Sequence, residues 1–474
     1  MQTLPRLEID DFQGAVLTAD DGAYEAARRV ENGRFYGARP SVILRPRGPA
    51  DVAAAIAFAR RSGLALAVRS GGHSTAGHSA GDGGIVLDMR GIDAIDIDAR
   101  TDTVWVGGGA LAGDVVRDAF TVGRTVPFGD TASVGVAGIT LGGGSGWLSR
   151  LFGLTIDSLL AVEVVTADGR LLTASADEHR DLFWAVRGGG GNFGVVTRLR
   201  FQLRPIDEVL FGTITLPATH DVLRRLVPTL LAAPDELTAM PNIMLGPAVE
   251  GAAPGARGDL TVYVPICWSG SRAAGERALA PLRALGPVID DSITAMPYPA
   301  VYGGDGEAGP GEAGAATDVE RDGDASAAVD DGGWAFRSVY LDDLDDAVIE
   351  TIERQLAATS SSEALAHLRV LGGAVARTPG DATAFGWRDK AVILIVIAND
   401  ADSSDPAGTE SWIDTFATEL RRHGEGAYPN FMGAVGDDAV RLAYPRATFA
   451  RLRAVKRRYD PDDIFRAAYH IRPA

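Results

Sequence analysis

The chain has 474 residues, 46% of them hydrophobic, with 45 basic and 63 acidic side chains and a formal net charge of −18. That length allows two or three domains and a large core, and the acidic surplus argues against nucleic acid and anionic membranes as partners. The one cysteine, Cys267, excludes an intramolecular disulfide and a thiolate metal cluster within one chain.

Met1–Pro5 lacks the basic and apolar regions of a signal peptide, so the expectation is a cytoplasmic protein. The Arg, Ala and Gly bias, with Lys390 and Lys456 the only lysines, points to a GC-rich bacterial genome. About Ala23 to Glu31 is predicted helical, and Pro40–Pro46 spells a short strand bounded by prolines. Asp51–Ser62 reads as a helix, with an acidic start, an Ala-Ile-Ala-Phe-Ala stripe and two arginines at its end. Leu64–Val68 is an apolar strand running into Arg69-Ser70-Gly71-Gly72-His73-Ser74, with Gly77-His78 just beyond. Short strands follow at 85–89, 95–98 and 103–106, then a helix over Leu111–Thr121 and a glycine-rich stretch over Ser133–Phe152. Residues 161–166 and 170–173 form a hairpin around Ala167-Asp168-Gly169, and 194–201 is a further strand.

Near Pro205 the texture changes. From 206 to 424 strands and amphipathic helices alternate without glycine-rich turns, which marks a second domain. Residues 303–333 interrupt it with nine acidic residues, one arginine and no aromatic, a composition that predicts a mobile surface insertion, with a lid as the alternative. Cys267 reads as a small apolar strand residue. Ala391–Ala398 is apolar throughout, far too short for a bilayer, and reads as a buried strand. Residues 425–474 form a third segment, with a basic helix over Leu452–Tyr459 before Asp460-Pro461.

A strand opening into Arg-Ser-Gly-Gly-His leaves backbone N–H groups free. Two glycines let that backbone approach a phosphate, Arg69 and Ser70 add donors, and His73 is held beside whatever carries the phosphates. Three further blocks stand in order: Phe128–Gly146, Asp181–Val196, and a C-terminal set of Tyr428-Pro429-Asn430-Phe431, Lys456–Pro461 and Phe465-Arg466. Such glycines admit a flat ring and a pyrophosphate against bare backbone; the same residues also serve tight packing of backbone on backbone. Gly107-Gly108-Gly109 lacks the spacing and acidic partner of a dinucleotide turn. The seven histidines show no metal-ligand spacing, and Gly144-Ser145-Gly146 lacks the strand and helix of a nucleophile elbow.

Together the four blocks resemble the berberine-bridge-enzyme-like FAD-linked oxidases of the vanillyl-alcohol-oxidase superfamily, most of all the singly linked bacterial hydroxynicotine-oxidase branch. The middle of the chain is similar more loosely, through Leu371–Ala374 and Thr383–Phe385 with Arg388. The resemblance implies an α+β fold: a bipartite FAD-binding domain from 1–205 and 425–474, and a substrate domain, 206–424, whose antiparallel sheet is covered by helices. It implies FAD attached covalently through one histidine, His73. The other residues implied at the cofactor are Arg69, Ser70, Gly71, Gly72, Ser74, Gly77, His78, Val134, Gly135, Gly138, Gly142, Gly143, Gly144, Gly146, Gly191, Asn192, Gly194, Val196, Tyr428 and Asn430. His78 has two open roles, a bond to the cofactor or a place on the surface.

Many members carry a second link from a cysteine where this chain has Thr131, so a single attachment is implied. Tyr428 and Asn430 are the implied catalytic residues, although the family's second tyrosine is replaced by Phe431. Tyr428 is either a base, which requires its pKa to fall from about 10, or a packing or substrate contact. Val134 stands where side-chain size in relatives bears on oxygen access, and a valine favours an oxidase. The implied function is hydride transfer from a small alcohol or amine to FAD, with reoxidation by O2 to give H2O2. A dehydrogenase using another acceptor and a non-catalytic flavoprotein that sequesters a metabolite are the alternatives.

Overall fold

The computed structural model describes residues 9–246, 258–303, 333–361, 363–399, 406–434, 436–466 and 469–474. All but the ends of the insertion expected at 303–333 therefore lie outside the described residues.

Short β-branched runs in the first third build two sheets. One has the order Ala15–Leu17, Val42–Arg45, Ile85–Asp88, Leu66–Arg69, with the last three strands parallel. Helix Pro49–Ser62, opened by a proline and closed by Gly63 at φ +70°, lays Val52, Ala55, Ile56 and Ala59 onto it. The other sheet is antiparallel, in the order Ile95–Asp98, Thr103–Gly107, Val195–Gln202, Leu159–Val165, Leu171–Ser175, and contains the expected hairpin. The helix expected at 23–31 is only Tyr24–Arg28. The carbonyls of Ala27, Arg28 and Arg29 turn to the buried Arg69 guanidinium instead of continuing the helical ladder.

The middle of the chain forms a nine-stranded antiparallel sheet. Its main path runs Asp290–Asp291, Glu208–Pro217, Leu260–Trp268, Asn242–Leu245, Ala364–Val370, Val392–Asn399, Trp334–Leu341. Side chains alternate across it. Ile214, Leu216, Val262, Val264, Ala366, Leu368 and Val396 face helices His220–Ala232, Arg272–Arg283, Asp346–Ala358 and Pro406–Leu420 in one core. The residues between them, Thr213, Thr215, Tyr263, Asn242, His367 and Arg369, line a cavity. The unbroken run at 391–398 is buried on both faces, because Ile393 and Ile395 pack against Tyr428 and Phe385 on the second side. Cys267 lies in its strand, fully buried, with its thiol pKa pushed up by burial.

Helix Arg446–Tyr459 returns to the first third and inserts Leu452, Val455 and Tyr459 among Leu182, Phe183 and Trp184. Among the described residues no helix is long and apolar enough to cross a membrane.

Candidate active site

A cavity of about 1180 Å³ separates the glycine-rich turns from the polar face of the large sheet. That is above the roughly 300–1,000 Å³ of ordinary small-molecule sites. Ser70, Gly71, Gly72, His73, Ser74, His78, Val134, Gly135, Gly138, Gly142, Gly191, Asn192, Gly194, Val196, Tyr428 and Asn430 all line it. Residues from four distant blocks are thus brought to one surface.

Arg69 is a correction. Leu66, Val68 and Ser70 line the cavity, so the strand's alternation sends Arg69 to the opposite side. There its guanidinium donates to the carbonyls of Ala27 and Ser79 and ties down the N-terminal segment. Gly77, Gly143, Gly144 and Gly146 also stand off the cavity wall. A Cβ on them would strike, respectively, the Phe35 ring, the Phe385 ring, Thr155 Oγ1 and the Phe128 carbonyl.

The lining glycines divide in two. Gly71 and Gly135 touch backbone to backbone: a Cβ on Gly135 would lie 2.1 Å from the Gly71 nitrogen. A Cβ on Gly142 would lie 2.0 Å from Asn430 Oδ1. Gly138 and Gly191, by contrast, face open space, with nothing within 4 Å of an added Cβ. Gly72 and Gly190, also on the wall, meet nothing nearer than 3.7 Å, so the cradle that a side chain would fill extends over them as well. Several expected polar groups are already engaged. Ser70 Oγ donates to the Gly108 carbonyl at 2.6 Å, and Ser74 Oγ accepts from the His78 N–H at 3.1 Å. Asn192 holds the C-terminal segment through the Tyr469 carbonyl and the Ile471 N–H.

His73 is half-buried on the wall, with Nε2 3.9 Å from Glu31 Oε2. Burial lowers its pKa, against the raising effects of Glu31 and a backbone hydrogen bond to Ser133, so the imidazole is neutral. His78 packs edge-on against Tyr469, ring centres 4.5 Å apart, and its buried Nε2 has no partner among the described residues. Burial depresses it to about 4.

Tyr428 is buried. Its hydroxyl accepts from the Gly144 N–H at 3.1 Å and from Asn430 Nδ2 at 3.0 Å. Burial raises its pKa more than Arg369 and these donors lower it, so it is a neutral phenol. Asn430 Nδ2 also donates to the Ile139 carbonyl at 3.2 Å.

Three polar residues that meet on the sheet side of the wall, Arg369, His367 and Asn242, were not singled out in the sequence. Arg369 donates to the Ser145 carbonyl and to the Asp130 carboxylate, and its guanidinium lies 5.0 Å from the centre of the Phe431 ring. His367 and Asn242 face each other on adjacent strands, Nδ1 to Oδ1 2.7 Å. Their signal is the odd-numbered parity of Leu365, His367 and Arg369, which places two polar groups on one face of an otherwise apolar strand. Among the described residues no cluster of histidine, cysteine or carboxylate side chains could hold a metal ion.

Residues 40–175 match the family described as FAD binding domain, and residues 427–472 match the one described as berberine and berberine like. The chain is 32% identical to (R)-6-hydroxynicotine oxidase of Paenarthrobacter nicotinovorans, over 98% of this chain and 97% of that protein. It is 28% identical to an FAD-linked oxidoreductase of Bacillus subtilis (strain 168), over 98% of each. The crystal structure of 6-hydroxy-D-nicotine oxidase from Arthrobacter nicotinovorans superposes with a TM-score of 0.80 at 28% identity, covering 98% of both chains. A chitooligosaccharide oxidase shares the fold, with a TM-score of 0.82 over 97% of both chains at 23% identity.

Proposed function

Because the chain belongs to the berberine-bridge-enzyme-like FAD-linked oxidoreductases, we propose that it is an oxidase. Its substrate is a small alcohol or amine, its acceptor is O2 with H2O2 as product, and its FAD is bonded to His73. The observation that carries this reading is one cavity holding a neutral His73, the bare backbone of Gly138 and Gly191, and a polar sheet face. The open cradle at those glycines and the unpartnered His78 Nε2 fit a bound flavin dinucleotide.

FAD held there supplies a two-electron acceptor that dioxygen regenerates. The chain's own residues supply attachment, orientation and a site for the proton. His73 offers an uncharged ring nitrogen, and Thr131, on the same wall, has no thiol for a second link. Residues 1–205 and 425–474 form the cofactor half and 206–424 the substrate half. The Gly144 and Asn430 donors fix the Tyr428 oxygen, so its own O–H is the group left to point at the substrate's oxygen or nitrogen. As a neutral phenol Tyr428 orients the substrate, and the substrate's proton passes to another group on the wall. Val134 lines the cavity and leaves room for oxygen.

Acid denaturation of the purified protein tests the attachment. Flavin fluorescence should stay with wild-type polypeptide and be lost from His73→Ala. A yellow protein that releases its flavin would remove the role of His73, and a colourless one the whole reading. Peroxide formation in air, with 6-hydroxynicotine first in a panel of alcohols and amines, separates oxidase from dehydrogenase.

A further inference from the structure

His367 lies mid-strand in Ala364–Val370, opposite Asn242 on one neighbouring strand and Ile395 on the other. Its ring faces the cavity. Nδ1 stands 2.7 Å from Asn242 Oδ1. An amide oxygen can only accept, so Nδ1 carries the hydrogen and Nε2 is a bare lone pair. Nε2 is buried, and among the described residues no group bonds it. Buried polar atoms of this kind are rarely left unpaired without a use.

The neighbours explain why the ring stays uncharged. Arg369 lies two residues along the same strand, Asp130 reaches in from the glycine-rich segment, and Tyr263 lines the wall from the strand beyond Asn242. Arg369 is itself engaged by Asp130 and the Ser145 carbonyl. Burial first, and the Arg369 charge second, hold His367 down to about 3, against the opposing pull of Asp130.

We infer that His367 is a substrate-binding residue whose Nε2 accepts a hydrogen bond from an O–H or N–H of the substrate, with Asn242 as the positioning residue that sets its tautomer. The substrate class is thereby narrowed to molecules presenting a donor at this point of the cavity. Those presenting only an ether or carbonyl oxygen there would leave two lone pairs face to face. The inference rests on reading this cavity as the active site.

The test uses flavin-loaded enzyme labelled with ¹⁵N-histidine, the His367 signals being identified by their loss in His367→Gln. The expected spectrum shows a protonated Nδ1 and a bare Nε2 at about pH 7, unchanged at about pH 5, and Asn242→Leu should give a mixture of tautomers. Phenol should shift the Nε2 resonance and perturb the flavin absorbance, whereas anisole, which cannot donate, should leave Nε2 unmoved. Phenol affinity should fall about tenfold in His367→Leu, and His367→Gln, whose amide oxygen can accept, should recover most of it. A protonated Nε2, equal behaviour of phenol and anisole, no binding of either, or unchanged affinity in His367→Leu would overturn the inference. These results in a yellow protein leave the flavin reading intact. A colourless protein fails that reading while the tautomer can still be read.

Discussion

Lys456→Met should destabilise the protein by about 3 kcal/mol. The Lys456 ammonium is fully buried beside an equally buried Asp460, Nζ to Oδ2 2.6 Å. It also donates to the carbonyls of Phe465 at 2.7 Å and Asn192 at 3.0 Å, and lies 3.1 Å from Asp463. Methionine fills the space but strands the Asp460 charge. Removing one partner of a buried pair costs about 3–5 kcal/mol. The lower end applies because Asp460 keeps the Ile464 and Phe465 N–H groups at 2.8 and 2.9 Å. Thermal unfolding followed by flavin fluorescence should show a midpoint lower by about 3 °C, since the 474 residues carry an unfolding entropy of about 1 kcal/mol/K. Flavin fluorescence should rise early, since Asn192 and Phe465 both line the cavity, while the flavin stays on the chain. Arg457→Met, on the exposed side of the same helix, should change stability by no more than about 0.5 kcal/mol. A Lys456→Met midpoint within about 1 °C of wild type would refute the argument, since the buried charge would then have a partner other than the lysine.

Two glycine substitutions should separate packing from cofactor space. Gly135→Ala forces a Cβ against the Gly71 backbone and should cost about 1–3 kcal/mol by overpacking, read in denaturant melts. Gly138→Ala projects into open cavity and should keep its melting curve while the flavin content per polypeptide falls; full flavin content would disprove the cradle. Tyr428→Phe removes the acceptor of the Gly144 N–H and the donor that orients the substrate, so anaerobic reduction should slow by about a hundredfold through misplacement at unchanged flavin content, and an unchanged rate would rule out a substrate contact. Burial pushes the Asp88 carboxyl up, but the Arg90 hydrogen bond and the Arg90, Arg69 and Arg45 charges outweigh it, so its pKa lies below the ordinary value. Its stabilising contribution is complete above about pH 4 and drains away as pH falls further through the folded pKa. Asp88→Asn should be less stable at neutral pH and show a flatter acid limb in circular dichroism, and an acid limb as steep as wild type would contradict the pairing.

The glycine blocks were legible because tight backbone approach leaves few alternatives to glycine, and the run at 391–398 because a strand buried on both faces cannot alternate. Arg69 misled because adjacency to a phosphate-type turn says nothing of where a long side chain goes; the parity of Leu66, Val68 and Ser70 does. Lys456 and Asp460 stand four residues apart on a helix, a spacing equally common on wet surfaces, so their burial needed the folded chain. The two kinds of lining glycine, packed and open, have the same sequence signature. His367 was missed because its meaning depends on Asn242, 125 residues away in the chain.

Tyr428, Asn430, Phe465 and Tyr469 wall the same cavity as His73, and the nine-stranded sheet lies between them in the sequence. During synthesis His73 and its glycine turns leave the ribosome long before the wall that faces them. Contacts this distant close late in folding, after the sheet between them has formed. Cofactor capture is then a late event: a nascent chain halted in the middle of the sheet would hold His73 exposed to water with nothing opposite it.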